Sequence, residues 1–214
     1  LNAPAPYCSD CNSEYHVDYF ESACPTCGKE LSTRSAKMSK SLGNTVSPEE
    51  MISRFGADTV RLFILFGANP EAGMDWSDSA LEANHRQINS LFGAIDEAMA
   101  LSDAPSKIDG WLLSRMRASQ NRWIEAMSDV SLREGVMISH FEMLSDWNWY
   151  LRRGGLDRTT AMKFLEGWIP MLAPATPHIA EEFWNMFGGK DLLAALEIPI
   201  PVSYTHLTLP TIAL

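Results

Sequence analysis

Apolar residues recur at every third or fourth position through most of the second half of the chain, the period of helices that each bury one stripe. Between residues 79 and 99 the stripe is Leu81, Ile88, Leu91 with Phe92, Ile95 and Met99. After Pro105 a second run carries Trp111, Met116, Trp123 and Met127. A third carries Leu132, Val136, His140, Met143, Trp147 and Leu151 until Gly154 and Gly155 stop it. Met162, Leu165, Ile169 and Leu172 form a fourth, broken by Pro174 and Pro177, and Ile179, Phe183 and Met186 a shorter fifth before Gly188 and Gly189. Together these predict an antiparallel helical bundle. Its Trp and Met residues read as core rather than as a cofactor box, because bundles fill inter-helix gaps with large and adaptable side chains. His140 falls on the apolar stripe and reads as a satisfied core residue.

Upstream the pattern is shorter. Ser47-Pro48-Glu49-Glu50 starts a helix, with Ser47 as N-cap, proline in the first turn and Glu50 placed for a capping box. Gly56 closes it, and residues 57–66 (ADTVRLFILF) read as a second, largely buried helix ended by Gly67 and Pro70. Trp76 reads as a loop anchor, with Ser77 or Asp78 capping the next helix. Residues 15–20 alternate Tyr15, Val17, Tyr19 with His16, Asp18, Phe20, which predicts short extended strands. Residues 31–44 (LSTRSAKMSKSLGN) read as a loop, with Gly43 and Asn44 both tolerant of positive φ. The predicted class is mainly α, with a small cysteine module, a loop with short helices, and then the bundle.

The 214 residues, 46% of them hydrophobic, can bury a substantial core. No apolar run approaches the roughly 18 to 20 residues that span a bilayer; residues 60–68 are the most apolar and contain Arg61. A soluble, cytoplasmic chain without membrane contact is expected. The net charge of −10 repels polyanions, so any nucleic-acid contact needs a local basic patch. Arg115 and Arg122 are seven apart on one predicted helical face with Arg117 nearby, and Arg152 and Arg153 precede a helix end. They are candidate phosphate donors, set against a solvated face or cations favoured at a helix C-terminus. The chain opens on Leu1 and reads as a piece of something longer. Residues 202–211 (VSYTHLTLPT) read as a translated sequencing-library adapter, against the alternative of a short strand, so 201–214 receive no function.

The four cysteines fall as Cys8-x2-Cys11 and Cys24-x2-Cys27, with Gly28 next. Two residues between thiolates let a turn aim both sulfurs at one ion, and two such turns close a tetrahedral shell with no open position. The reading is a structural zinc ribbon or knuckle over residues 1–30; the alternatives are two disulfides or free thiols. So short a segment cannot bury a core, and metal binding would supply its folding energy. His16 reads as a strand residue, since four sulfurs already fill the shell.

In the loop, Lys37 and Lys40 can bring two ammonium groups to one polyanion, with Ser39, Ser41 and backbone N–H groups as further donors. A triphosphate suits that set, although a solvated Lys/Ser loop has the same composition. The string Lys37-Met38-Ser39-Lys40-Ser41, followed by Leu42-Gly43-Asn44, resembles the second signature of class I aminoacyl-tRNA synthetases. Residues 54–61 (RFGADTVR) resemble the family's sequence just downstream of that signature. Pro70-Glu71 and Met74-Asp75-Trp76-Ser77-Asp78 resemble the leucyl branch more than the isoleucyl, valyl or methionyl branches. Residues 173–184 (APATPHIAEEFW) are similar to a late segment of that family's helical anticodon-binding domain.

The resemblance implies that the loop closes over ATP and its Mg2+ while the leucine carboxylate attacks the α-phosphate. Lys37 and Lys40 would neutralise the leaving pyrophosphate, Met38 would lie near adenine, and Ser39 and Ser41 would hold the closed loop. It implies residues 31–104 as the end of the catalytic core and residues 105–200 as a bundle binding tRNA(Leu) by shape and backbone. The family's first signature, His-x-Gly-His, is not in the sequence, and no strand-helix-strand alternation precedes the cysteines. The N-terminal catalytic half is therefore expected elsewhere in the same polypeptide, and the isolated piece is expected to be inactive. The rival readings are another branched-chain or methionyl synthetase, and a non-enzymatic zinc-ribbon module that binds RNA or protein.

Overall fold

The computed structural model describes residues 1–19, 21–68, 72–191 and 193, so the predicted adapter at 201–214, with Phe20, Pro70 and Glu71, lies outside the described residues. The fold is mainly helical, with a small antiparallel sheet of order β2-β1-β3 at its start. β1 (Asn2–Cys8) pairs along its length with β3 (Ser32–Lys37), from Asn2 opposite Lys37 to Tyr7 opposite Ser32. β2 (Ser13–Glu14) meets only Tyr7 and Cys8. Pro4 and Pro6 have no N–H to donate, which suits a strand so little covered on its second side.

The structure departs from two expectations. The alternating residues 15–20 do not form strands among the described positions: Tyr15 N–H bonds to Pro6 O, and the chain then turns at Val17 and Asp18. The first half of residues 31–44 is strand rather than loop. β3 buries only Ala36, so nothing in its side chains announces it, and its order comes from backbone pairing to β1.

α1 (Pro48–Phe55) begins where Ser47 accepts from Glu50 N–H and ends at Gly56, whose φ of +83° is the left-handed turn between helices. α2 (Ala57–Gly67) and α3 (Asp78–Ala100) follow, the latter capped by Ser77, which accepts from Ala80 N–H. Met51, Val60, Phe63 and Leu81 make a small core among α1, α2 and α3, with Trp76 edge-on to Phe63.

α4 (Asp109–Ser128), α6 (Met143–Arg152), α7 (Arg158–Leu172) and α8 (Pro177–Phe187) enclose the main core with α3. Trp147, Trp168, Tyr150, Phe164 and Phe183 are fully buried there. The third predicted stripe is one helical run with a π-helical stretch, Met137–Glu142, between α5 (Leu132–Val136) and α6. The wide turn has a cause: the indole of Trp168 donates to Ser139 O at 2.6 Å and the Gln87 amide donates to His140 O. Side chains from α7 and α3 thus take carbonyls that a regular helix would bond internally. His140 is fully buried, with Nδ1 2.8 Å from Ser139 Oγ and Nε2 3.0 Å from Thr176 Oγ1, and burial pushes it down to about 3.

α8 is joined to α2 by Asp58, whose carboxylate accepts from Ile179 N–H at 2.7 Å and lies 2.8 Å from His178 Nδ1. Arg61 donates from α2 to the carbonyls of Pro174 and Ala175 at 2.9 and 3.0 Å. Among the described residues, no helix is long and apolar enough to cross a membrane.

Candidate functional site

The turn after Cys8 and the turn at residues 25–27 bring all four cysteine sulfurs within 4.8 Å of one another. Cys8 Sγ lies 3.5 Å from Cys27 Sγ, and Cys11 Sγ 3.8 Å from Cys24 Sγ. A disulfide holds its sulfurs at about 2.05 Å, and all four cysteines are free. Tetrahedral zinc with bonds of about 2.3 Å separates its sulfurs by about 3.8 Å, so the donor set and spacing fit that ion.

The second turn is closed by Gly28 N–H to Cys24 O at 2.8 Å and by Cys24 N–H to Lys29 O at 2.7 Å. The Tyr15 hydroxyl, 3.1 Å from Cys24 Sγ, pulls that thiol down to about 6, opposed by desolvation and helped by the backbone N–H groups of Cys27 and Thr26. Cys11 is pushed up to about 12, chiefly by its hydrogen bond with Cys27. A divalent cation is the partner that lets such a crowded set ionise together. His16 is not among the clustered ligands; its Nδ1 accepts from Asp18 N–H at 3.2 Å.

The lysine loop sits directly on this module. Val17 N–H donates to Leu42 O at 2.9 Å, and Gly43, at φ +67°, lies so close to His16 that a Cβ would come within 2.5 Å of its ring. The positive φ and the crowding by His16 both favour glycine there. Asn44 does not share the positive φ: its buried amide is instead the hub of the turn. Its Oδ1 accepts from Ser39 N–H at 2.9 Å, and its Nδ2 donates to Ala3 O and Ala36 O, both at 3.3 Å. Ser39 Oγ accepts from Leu42 N–H at 3.3 Å and lies 3.1 Å from Ser41 Oγ.

Lys37 is the last residue of β3 and Lys40 stands at the start of the turn. Both are exposed and neither has an ion pair among the described residues, while Met38 is half-buried with its N–H on Leu1 O. The segment 74–76 docks at the same end of the sheet, on the side of β1 away from β3, through Asn2 N–H to Met74 O and Trp76 N–H to Asn2 O, both 2.8 Å. Asp75 accepts from the Ser35 hydroxyl and the Asn2 amide, which hold its carboxyl below the ordinary range. Asp75 has no local signature, because Ser35 and Asn2 lie 40 and 73 residues away, and Asn44 ties its own turn to Ala3, 41 residues earlier.

The arginines divide into two sets. Arg115 Nε bonds Asp146 of α6 at 3.1 Å, and Arg122 holds Glu142 of the π-helical stretch through two bonds at 2.7 and 3.3 Å, so both have their charge engaged. Arg117 and Arg152 are exposed without an ion pair among the described residues, and Arg153 lies 5.0 Å over the Trp149 ring.

Residues 30–77 match the family model of tRNA synthetases class I (I, L, M and V), and residues 109–211 match that of the anticodon-binding domain of tRNA ligase. The chain is 33% identical over 176 residues to a leucine–tRNA ligase of Methanosarcina barkeri, an overlap of 79% of this chain and 18% of the relative. With a leucine–tRNA ligase of Thioalkalivibrio sulfidiphilus it shares 34% over 174 residues, or 78% of this chain and 21% of that one. Among solved structures, the LeuRS–tRNA–LeuAMS ternary complex of Agrobacterium radiobacter K84 aligns with a TM-score of 0.62 and 26% identity, covering 74% of this chain and 22% of that one. The chain therefore spans about a fifth of the length of the relatives it matches.

Proposed function

We propose, from the premise that this chain belongs to the class I tRNA synthetases of the I, L, M and V group, that it is the phosphate-loop and tRNA-binding part of a leucine–tRNA ligase. Residues 1–30 hold a structural zinc through Cys8, Cys11, Cys24 and Cys27. Residues 31–104 supply the phosphate loop and the end of the catalytic core, and residues 105–200 the tRNA-binding bundle. The β1–β3 pairing makes the first two parts mechanically continuous, so the zinc module is the foundation of the loop.

The observation that carries the reading is the state of the loop. Lys37 and Lys40 are exposed and unpaired among the described residues, on a turn pinned by Asn44 and Leu42. Cations held without a carboxylate are available to a polyanion, and a pinned turn presents them with little reorganisation. In the activation step a leucine carboxylate oxygen bonds to the α-phosphorus of ATP as the bond to pyrophosphate breaks. Lys37 and Lys40 neutralise the negative charge that grows on the leaving group, which counts most in the transition state. Met38 borders the adenine side, and the Ser39–Ser41 contact belongs to the closed loop.

The nucleotide-binding sheet and the rest of the leucine site come from elsewhere in the same polypeptide, and the isolated segment neither activates leucine nor charges tRNA. Of the five arginines read as phosphate donors, Arg117, Arg152 and Arg153 are free of carboxylates among the described residues. Arg115 and Arg122 reach RNA only by sharing their ion-pair partners. The test is to express the complete reading frame and assay ATP–pyrophosphate exchange with leucine, isoleucine, valine and methionine, and charging of tRNA(Leu). Leucine-selective exchange is expected; selectivity for another amino acid would move the chain to another branch of the same group.

A further inference from the structure

We propose that the cavity enclosed by α2, α4, α5 and α7 binds a small apolar carboxylate, its aliphatic body inside and its carboxylate on Arg61 at the mouth. The inference stands apart from the synthetase reading, because the cavity shares no residue with the lysine loop or the cysteine cluster. Its volume is about 130 Å³, and its walls are chiefly Leu65 of α2, Trp123 and Met127 of α4, Val136 of α5 and Met171 of α7. An apolar cavity of about 150 Å³ stays dry and takes a ligand the size of benzene, since water finds too few polar partners there. The space between these helices therefore suits a body of about six carbons.

Two polar side chains belong to the lining, and they differ in what they have left to offer. Ser139 is buried, and its hydroxyl donates to Gly135 O at 2.9 Å and lies 2.8 Å from His140 Nδ1, so its hydrogen bonds are made within the fold. Arg61 and Pro174 are the exposed members of the lining and mark the mouth. Arg61 donates from Nε to Ala175 O at 3.0 Å and from one Nη to Pro174 O at 2.9 Å, both carbonyls of lining residues. Backbone carbonyls thus hold the guanidinium at the rim, and its remaining N–H groups are free for a ligand.

Charge selects the class of ligand. No acidic side chain lines the cavity among the described residues. Asp58, one turn before Arg61 on α2, is engaged by His178 and Ile179 N–H, and Glu134 of α5 faces Arg122. A guanidinium that is positioned but not neutralised matches a carboxylate by its planar fork of donors, and a single cation matches a single negative charge. An ammonium on the same apolar body would be repelled.

Met127 and Met171 supply a local readout, since both line the cavity. The full-length protein, isotope-labelled at its methionine methyls, is titrated with hexanoate, 1-hexanol and hexylamine, and the two resonances are assigned with M127L and M171L. Hexanoate should shift both resonances together and saturably, and should bind about 5- to 10-fold more tightly than hexanol, with hexylamine weakest. R61Q should bring hexanoate to the level of hexanol, R61K should retain part of the preference, and L65W, which fills the space, should abolish both responses. Resonances that stay unmoved in the wild type under millimolar hexanoate overturn the site. Equal affinity of the wild type for hexanoate and hexanol overturns the carboxylate assignment, and a response preserved in L65W places the ligand elsewhere and overturns it too. The comparison of the three ligands in the wild type needs no substitution, so a variant that fails to fold leaves the test intact.

Discussion

Replacing Asn44 by alanine isolates the hub of the lysine loop, because the amide is 6% exposed and its three hydrogen bonds reach the loop, β1 and β3 at once. Asn44→Ala leaves the Ser39 N–H without its acceptor and the carbonyls of Ala3 and Ala36 without that donor. One short and two long bonds, each worth about 1 kcal/mol or less net, amount to about 2 kcal/mol of local stability. Through an exponential dependence, that is roughly a thirtyfold rise in the open population of the turn. Amide exchange across residues 37–44 in the full-length protein reads it directly, with Ser39 showing the largest acceleration and the bundle unchanged. Asn44→Asp sharpens the test, since it keeps the acceptor for Ser39 but sets a carboxylate oxygen against two carbonyls, so its loss should be at least as large near neutral pH. Wild-type exchange of Ser39 in Asn44→Ala would refute the assignment of this amide as the hub.

Stripping zinc with a strong chelator should release a single ion from the four-thiol cluster and speed exchange in β1, β3 and residues 37–44, with helix content retained; undisturbed exchange in β3 would refute the mechanical link. His140 makes stability pH-dependent. Its folded pKa of about 3 lies below the ordinary 6.5, so the unfolded chain binds a proton that the folded chain does not, and the stability present above pH 6.5 is lost as pH falls toward 3. The slope in that window should approach 1.4 kcal/mol per pH unit, and denaturant titrations of His140→Gln should show that component removed. Asp58→Ala should lower the thermal midpoint by stripping the start of α8 of its carboxylate acceptor, at a cost of about 2 to 3 kcal/mol, with Asp58→Asn milder; an unchanged midpoint would exclude Asp58 as the tie between α2 and α8.

What the sequence made legible is what is local. The Ser47 and Ser77 caps, the Gly56 break and the CxxC turns are each decided within four residues, and all are found where the residue types require. The bundle stripes were legible because one apolar face per helix leaves a 3.6-residue period, and His140 was readable as core from its place on that face. The rest depends on partners far along the chain. β3 is polar at five of its six positions and owes its existence to β1, some thirty residues earlier. The alternation at 15–20 pointed to strands, but the cysteine turns leave no length for a ladder. The π-helical stretch needs Trp168 and Gln87, and Asp58 meets a helix 121 residues away in sequence. The pairing of Arg115 and Arg122 with Asp146 and Glu142 is equally invisible to spacing along a single helix.

We propose that Lys40 stabilises the departing pyrophosphate during leucine activation. Leucine-dependent ATP–pyrophosphate exchange by the full-length enzyme, compared with its Lys40→Ala variant, tests it most directly. Loss of one preorganised cation predicts a fall in kcat of about 10²- to 10³-fold, with the KM for leucine little changed. Exchange at wild-type kcat in that variant would remove Lys40 from the activation step.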